Sequence, residues 1–256
     1  GQVKRADLST GTGVRQTGFQ EVDLVSMVRS ITKFATLVED PGQIRRAMEE
    51  AISTATSGRP GPVWVDIPLD VQAADIDPEG LIGYEPAPCE VPAELERDVA
   101  ASLATLEQAE RPIILVGNGV RLADAVKPFR QLVDLLGIPV LTTWKAADFL
   151  PESHPLYVGR PGSIGQRAAN FAQQTSDAIL ILGARLDAGQ TGYNHENFAR
   201  HARKVMVDVD PCELAKMRFD IDVEIECDAG EVIAEFLRQL GETPCEQRSG
   251  WLEQCA

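Results

Sequence analysis

The chain has 256 residues, of which 44% are hydrophobic, and its 39 acidic and 24 basic side chains give a formal net charge of −15. This composition predicts one large or two modest globular domains, and the sequence has no run of about 18 apolar residues that could span a membrane. The negative charge predicts repulsion by nucleic acid and by anionic lipid, so we expect neither as a partner.

The five cysteines are odd in number, are widely spaced and form no Cys-x-x-Cys pair. This pattern predicts reduced thiols and a cytoplasmic protein rather than a disulfide framework. The three histidines form no short ligand motif, so we expect no metal ion to be held by side chains of this chain.

Residues 1–74 are predicted to be part of an α/β domain. Apolar residues between Ile44 and Ala55 recur at helical spacing and predict a helix, after which Gly58 is placed as the C-cap glycine. Two strands and two helices are too few to cover both faces of a parallel sheet, so we expect a domain truncated at its N-terminal side. The other predicted elements are the tail of a strand at 1–5, a loop at 11–13, a helix from Gln20 and strands at 34–38 and 63–67.

Residues 75–92 contain four prolines and no apolar periodicity, which predicts a linker between domains. Strands and helices alternate over residues 93–242, and this alternation predicts a complete α/β domain with a parallel, doubly wound sheet. Residues 243–256 are predicted to begin a second linker. The predicted strands are 113–116, 140–143, 179–182, 205–207 and 223–225, and the predicted helices contain Leu95 to Leu106, Leu122 to Leu136 before the capping Gly137, a segment opened by Ser163 with Gln166 in a capping box, and the residues after Asp228.

The most informative stretch follows the apolar run Ile179–Leu182, where the sequence continues with Gly183, Arg185 and Asp187. In open α/β sheets, ligands bind beyond the carboxyl ends of the strands, where glycine permits close approach and charged side chains reach phosphates or hydroxyls. The alternative is that these polar residues bind no ligand and only form the exposed loop that follows any buried strand. The pattern therefore indicates a ligand site without establishing one.

Gly117-x-Gly119 lies between a predicted strand and a predicted helix, but Leu122 occupies the third glycine position of a dinucleotide fingerprint. The incomplete fingerprint favours a tight turn over nicotinamide binding. Gly159-Arg160-Pro-Gly-Ser163 precedes a predicted helix, where backbone amides and a guanidinium would suit a phosphate. The alternative there is a capped helix with a solvent-facing arginine.

Asp187, Asp208 and Asp210 are predicted near the carboxyl ends of strands, where carboxylates can accept hydrogen bonds from ribose or ribityl hydroxyls. Asp208 and Asp210 would equally serve to cap the turn at Pro211. No Ser-His-Asp, Cys-His, Gly-x-Ser-x-Gly or Walker pattern is present. The predicted character of 93–242 is therefore that of a binding domain.

Two sets of segments resemble the acetolactate (acetohydroxyacid) synthase family of thiamine-diphosphate enzymes in order and spacing. The first set is similar to the end of the family's pyrimidine-binding domain, and the second is similar to its central domain. The segments are Gly18–Glu21, Arg29–Lys33, Ala55–Val63 and Asp66–Pro68 in the first set, and Arg111–Pro112, Val116–Gly119, Gly183–Asp187, Gln190–Gly192 and Val207–Asp210 in the second.

The resemblance implies an enzyme that uses thiamine diphosphate and Mg²⁺ to decarboxylate a 2-keto acid and to join the resulting two-carbon carbanion to a second carbonyl. It implies that Gln20 lies beside thiamine diphosphate, and that Lys33 and Arg59 face the substrate entrance or the flavin region. In flavin-containing members the central domain holds FAD. The matching positions are Gly117, Thr143, Trp144, Gly159, Arg160, Gly183, Arg185, Asp187, Asp208, Val209, Asp228 and Ala229.

The resemblance also implies that the catalytic glutamate lies upstream of Gly1 and that the domain binding magnesium and the diphosphate lies downstream of Ala256. We therefore expect this chain alone to be inactive, and the whole enzyme to be a homodimer or homotetramer. The alternatives are another thiamine-diphosphate lyase or decarboxylase, a non-catalytic nucleotide- or FAD-binding Rossmann-like module, and an oligomerisation spacer.

Overall fold

The computed structural model describes residues 2–9, 13–88 and 90–255. The chain divides into two compact units, Gly1–Cys89 and Glu90–Ala256. The division falls within the expected linker at 75–92, and the domain limits 1–74 and 93–242 remain predictions.

Unit 1 contains a two-stranded parallel sheet in which Phe34 is paired with Val63. The predicted central helix is confirmed, and its apolar stripe includes the buried Ala51. Ser57 is at the C-cap of this helix, and Gly58 follows with a φ of 52°. The elements are α1 (Leu24–Val28), β1 (Phe34–Leu37), α2 (Ile44–Thr56), β2 (Val63–Asp66) and α3 (Leu69–Gln72).

The predictions at the start of unit 1 are wrong in two places. Residues 2–5 form no strand, because the Val3 carbonyl accepts a hydrogen bond from the Leu69 amide and the chain turns into a 3-10 helix at Arg5–Asp7. The helix expected from Gln20 begins only at Leu24, where the Asp23 side chain caps its first turn. Of the loop expected at 11–13, residues 11 and 12 lie outside the described residues.

Unit 2 contains a six-stranded, all-parallel sheet, which confirms the predicted α/β class. Numbered along this unit, the strands lie in the order 3-2-1-4-5-6, the arrangement of doubly wound dinucleotide-binding folds. The elements are α4 (Leu95–Gln108), β3 (Pro112–Val116), α5 (Gly119–Leu122), α6 (Val126–Leu136), β4 (Val140–Thr142), β5 (Tyr157–Gly159), α7 (Arg167–Thr175), β6 (Ala178–Leu182), α8 (Ala188–Thr191), β7 (Arg203–Asp208), α9 (Pro211–Ala215), β8 (Val223–Glu226), α10 (Ala229–Leu240) and α11 (Ser249–Cys255).

Both faces of this sheet are covered, because successive side chains of a strand point to opposite faces. Ile114 and Leu180 belong to a core formed with α4, α6 and α10. Ile113 and Ile181 belong to a second core formed with α7, α9 and α11. The continuous apolar runs of β3 and β6 are thus explained by burial on both sides.

The structure differs from the prediction at three places in unit 2. The helix expected to run through Leu122 is broken into α5 and α6 at Asp124, whose φ is 53°, so Leu122 is 56% exposed instead of facing the core. The short strand β5 lies between the strand predicted at 140–143 and the helix predicted from Ser163, where no strand was expected. Residues 249–255 of the expected second linker form α11, and Trp251 on this helix is buried.

None of the helices in the described part of the chain is both long and apolar enough to cross a lipid bilayer.

Candidate functional site at the carboxyl edge of the sheet

The family resemblance matches twelve residues of unit 2 to a flavin site. All twelve lie along one edge of the six-stranded sheet. The strands are parallel, so their carboxyl ends meet at the same edge. Every strand contributes at least one of these residues at or just beyond its last position. They are Gly159 and Arg160 at β5, Thr143 and Trp144 at β4, Gly117 at β3, Gly183, Arg185 and Asp187 at β6, Asp208 and Val209 at β7, and Asp228 and Ala229 at β8.

The strand order reverses between β3 and β6, and glycine backbones fill this switch point. The Gly117 amide donates to the Leu182 carbonyl, and the Gly119 amide donates to the Gly183 carbonyl at 3.0 Å. A Cβ atom on Gly117 would lie 2.3 Å from the Gly183 carbonyl oxygen, and one on Gly119 would lie 2.7 Å from the Gly183 Cα. Gly117-x-Gly119 therefore forms a tight turn, as predicted. Its glycines are required because a Cβ atom on either of them would collide with the Gly183 backbone.

The amides of Arg160, Gly162 and Ser163 were expected to be free to face a phosphate, and this part of the prediction is wrong because they have partners within the protein. The Arg160 amide donates to Gln166 Oε1 at 2.7 Å, and the Gly162 amide donates to Asn170 Oδ1 at 2.9 Å. Helix α7 starts only at Arg167, and Ser163 makes no capping box, since its amide and its hydroxyl both donate to the Gly189 carbonyl. Only the Arg160 side chain is left to recognise an anion here.

The loop after β6 holds an ion pair between Arg185 and Asp187, with Nη2 and Oδ2 2.9 Å apart. Asp187 also caps α8 by accepting from the Gln190 amide. Partial burial alone would raise the pKa of Asp187, but the hydrogen bonds from Arg185 and Gln190 outweigh it and the pKa is lowered. The Arg185 carbonyl accepts from Lys216 Nζ at 2.7 Å, which ties this loop to the residue that follows α9.

Three aspartates at the ends of β7 and β8 are fixed by turn and cap hydrogen bonds. Asp208 accepts from the Asp210 amide at 3.0 Å, and Asp210 accepts from the Cys212 amide at the start of α9. Asp228 caps α10 by accepting from the Gly230 amide at 2.8 Å, as predicted. The capping role of Asp208 and Asp210 is confirmed, and their carboxylates are held at the ligand edge by it.

Large apolar side chains are exposed along the same edge. Trp144 is 65% exposed, Ile164 83% and Tyr193 84%. Two nearby polar atoms are buried without a hydrogen-bond partner, namely Thr142 Oγ1 and Gln190 Nε2. Exposed rings, guanidinium groups and carboxylates at a switch-point edge fit the mixed chemistry of a dinucleotide, which combines a flat aromatic system with phosphates and hydroxyls.

In unit 1, the family resemblance assigns cofactor or substrate roles to Gln20, Lys33 and Arg59, and the surroundings of these residues differ from one another. Gln20 has a φ of 61° in a turn before α1, a conformation that is uncommon outside glycine. Lys33 Nζ donates to the carbonyls of Thr54 and Ser57, at 2.5 and 2.8 Å, and so caps the carboxyl end of α2. Arg59 is exposed in the turn that follows α2.

Other chemistry is limited in the described residues. No group of three or more His, Cys, Asp or Glu side chains within residues 2–9, 13–88 and 90–255 could hold a metal ion. Two surface cavities of about 600 and 430 Å³ share Asp134 and His154, and they are lined by none of the predicted site residues.

Residues 99–239 match the family model for the central domain of thiamine pyrophosphate enzymes. The chain belongs to this family. Most of unit 2 is therefore the central domain, and the family expected from the sequence segments is confirmed.

Relatives of this chain include three acetolactate synthases. The acetolactate synthase large subunit of Corynebacterium glutamicum is 37% identical over 95% of this chain and 39% of its own length. The isozyme 1 large subunit of Escherichia coli is 36% identical over 91% of this chain and 40% of its own length. The acetolactate synthase of Mycobacterium bovis is 38% identical over 94% of this chain and 38% of its own length. The chain thus spans about two fifths of these relatives.

Glu21 was not predicted as a site residue from the sequence, although it adjoins Gln20. Glu21 accepts from the amide and hydroxyl of Ser9 and from the amides of Thr17 and Gly18. The hydrogen bonds from Ser9 contribute most and lower the pKa of Glu21 to about 2. Its position next to Gln20 in the Gly18–Glu21 segment is the only signal that could have indicated it.

Glu21 should hold its proton far more weakly than an ordinary glutamate. Because the folded-state pKa is lowered, its carboxylate stabilises unit 1 above the ordinary pKa of 4.5, and this contribution is lost as the pH falls from 4.5 towards 2. A ¹³C NMR titration of the Glu21 carboxyl should give a midpoint near 2, and Ser9→Ala should raise it. A midpoint near 4.5 in the unmodified chain would show that this hydrogen-bond cluster is absent.

Proposed function

We propose that the protein containing this chain is a thiamine-diphosphate-dependent enzyme of the acetolactate synthase type. It would decarboxylate a 2-keto acid and transfer the two-carbon unit to a second carbonyl. The observation that supports this most is the 36–38% identity to acetolactate synthases over 91–95% of the chain. Thiamine diphosphate, when bound, supplies the electron sink for the carbanion.

The roles proposed for unit 1 follow the matched segments. Gln20 would lie beside thiamine diphosphate, and Lys33 and Arg59 would face the substrate entrance or the flavin region. The carbonyl partners of Lys33 support a fixed position for its ammonium group at the end of α2. Mg²⁺ would be held by residues outside this chain.

The roles proposed for unit 2 concern FAD at the carboxyl edge of the sheet. Arg160 and Arg185 would donate to its phosphates, and Trp144 would contact an aromatic ring. Asp187, Asp208 and Asp228 would accept from its hydroxyls or anchor the loops that do so. The fit of these side-chain types to a dinucleotide supports this assignment.

The proposal includes a homodimer or homotetramer and a cytoplasmic location. The oligomer follows from the resemblance, and the location follows from the odd, scattered cysteines. Cys212, Cys245 and Cys255 are free thiols, which supports a reducing compartment.

The test is acetolactate formation by the whole protein from pyruvate with thiamine diphosphate and Mg²⁺. We expect product to accumulate only when both cofactors are present, and Gln20→Ala to slow it more than the control Ile82→Ala at an exposed site of unit 1. Release of carbon dioxide without acetolactate would favour a decarboxylase of the same family. No uptake of thiamine diphosphate in calorimetry would overturn the proposal.

A further inference from the structure

We propose that Asn170 is a positioning residue that fixes the Arg160 guanidinium for the phosphate of a bound dinucleotide. This inference rests on the proposed function of the carboxyl edge and adds the residue that prepares it. The evidence is the hydrogen bonding of residues 159–166, which we call the strap.

Two reciprocal pairs of hydrogen bonds hold the strap. Its two ends are joined to each other, because the Arg160 amide donates to Gln166 Oε1 and the Gln166 amide donates to the Arg160 carbonyl, both at 2.7 Å. Its middle is held by α7, because the Gly162 amide donates to Asn170 Oδ1 at 2.9 Å and Asn170 Nδ2 donates to the Gly162 carbonyl at 3.0 Å. Asn170 therefore fixes both backbone groups of one strap residue.

The backbone conformation of the strap depends on these contacts. Gly159 and Gly162 have φ values of 133° and 127°, which other residues rarely adopt. A Cβ atom on Gly159 would lie 2.4 Å from Gln166 Oε1, and one on Gly162 would lie 2.9 Å from the Gly189 carbonyl oxygen. The chain therefore passes closely between α7 and α8, and Arg160 projects from a segment fixed on both sides.

The strap also connects the two arginines of the edge. The Ser163 amide and hydroxyl both donate to the Gly189 carbonyl, at 2.8 and 2.7 Å. Gly189 lies on α8, which is capped by Asp187, the ion-pair partner of Arg185. A single chain of contacts thus runs from Asn170 through the strap to the loop that holds Arg185.

Arg160 is suited to bind an anion because its charge is not already neutralised. Its Nη1 lies 3.3 Å from the Tyr157 hydroxyl, and among the described residues no carboxylate is within ion-pair distance of its guanidinium. Since the amides of Arg160, Gly162 and Ser163 are used internally, the guanidinium is the charged group through which the strap can act on a phosphate. A fixed backbone limits the conformational freedom that the arginine loses on binding.

The test is a double-mutant cycle on FAD binding, measured by flavin fluorescence with the full chain. Asn170→Leu should weaken FAD binding about tenfold, because a small displacement of a binding group lowers affinity strongly. Arg160→Met should weaken it at least as much, and adding Asn170→Leu to Arg160→Met should weaken it little further. Gln174→Leu, at an exposed position of the same helix, is the matched control and should leave affinity unchanged.

Three outcomes would overturn the inference. Unchanged affinity in Asn170→Leu would show that Asn170 does not act on the ligand, while the flavin proposal would stand. Additive losses in the double variant would show that Asn170 acts other than through Arg160. Absence of FAD binding by the unmodified chain would overturn both this inference and the flavin proposal.

Discussion

Gly117→Ala should lower the free energy of unfolding of unit 2 by about 3 kcal/mol or more, since overpacking against backbone cannot be relieved by a rotamer change. The added Cβ would lie 2.3 Å from the Gly183 carbonyl oxygen and 2.5 Å from the Ala184 Cα. Both atoms belong to the loop after β6, so this loop would have to move away from β3. We therefore expect the FAD binding proposed for the carboxyl edge to be lost together with stability.

Two glycines provide matched controls for this substitution. Gly192→Ala adds a methyl group in open space at a φ of 67°, so only backbone strain of about 1 kcal/mol is expected. Gly250→Ala adds one in open space on α11, where alanine favours the helix by up to about 1 kcal/mol. The measurement is hydrogen exchange of the β3 and β6 amides in increasing urea, which reports on unit 2 separately. Equal effects of Gly117→Ala and Gly192→Ala would contradict the close packing of the switch point.

Trp251→Ala should destabilise unit 2 by about 3–5 kcal/mol, the range for removing a large buried aromatic side chain. The side chain is 6% exposed, and its Nε1 donates to the Pro112 carbonyl at 3.0 Å, at the start of β3. Arg248, just before α11, donates to the carbonyls of Leu106, Glu107 and Ala109 at the end of α4. Residues 249–255 therefore complete the core of unit 2.

Trp251→Phe separates the contribution of the buried ring from that of the indole hydrogen bond to the Pro112 carbonyl. It keeps most of the buried surface but leaves the Pro112 carbonyl unpaired, so a loss of about 1–3 kcal/mol is expected. Gln254→Ala, at an exposed position of α11, should change stability by less than about 0.5 kcal/mol. The measurement is urea unfolding followed by circular dichroism. A Trp251→Ala variant as stable as Gln254→Ala would show that α11 is not part of the folded unit.

The sequence predicted the sheet of unit 2 where burial on both faces produces continuous apolar runs, as in β3 and β6. It missed β5 because three residues ending in Gly159 give no such run, and their pairing with β4 depends on contacts distant in sequence. It missed the break at Asp124 because apolar spacing continues across it. It missed α11 because the surrounding polar residues and Pro244 are typical of a linker, whereas Trp251 is buried by tertiary packing.

The predicted site residues of unit 2 lie along one edge because parallel strands bring their carboxyl ends together whatever the loops do. The sequence wrongly predicted unpaired backbone amides at Arg160, Gly162 and Ser163, because spacing does not reveal which partners the amides have in the folded chain. Gln166 suggested a capping box with Ser163, but it pairs with Arg160 instead. Side-chain partners of this kind follow from the folded path of the chain, which local pattern does not determine.

Binding of a dinucleotide at the carboxyl edge of the six-stranded sheet is tested most directly by hydrogen–deuterium exchange of the full chain with and without FAD. We expect FAD-dependent protection in the segments that begin at Gly117, Thr143, Gly159 and Gly183, and no change at the opposite edge near Ile138, Asp177 and Ala202. Protection confined to the opposite edge, or FAD binding without protection at either edge, would contradict it.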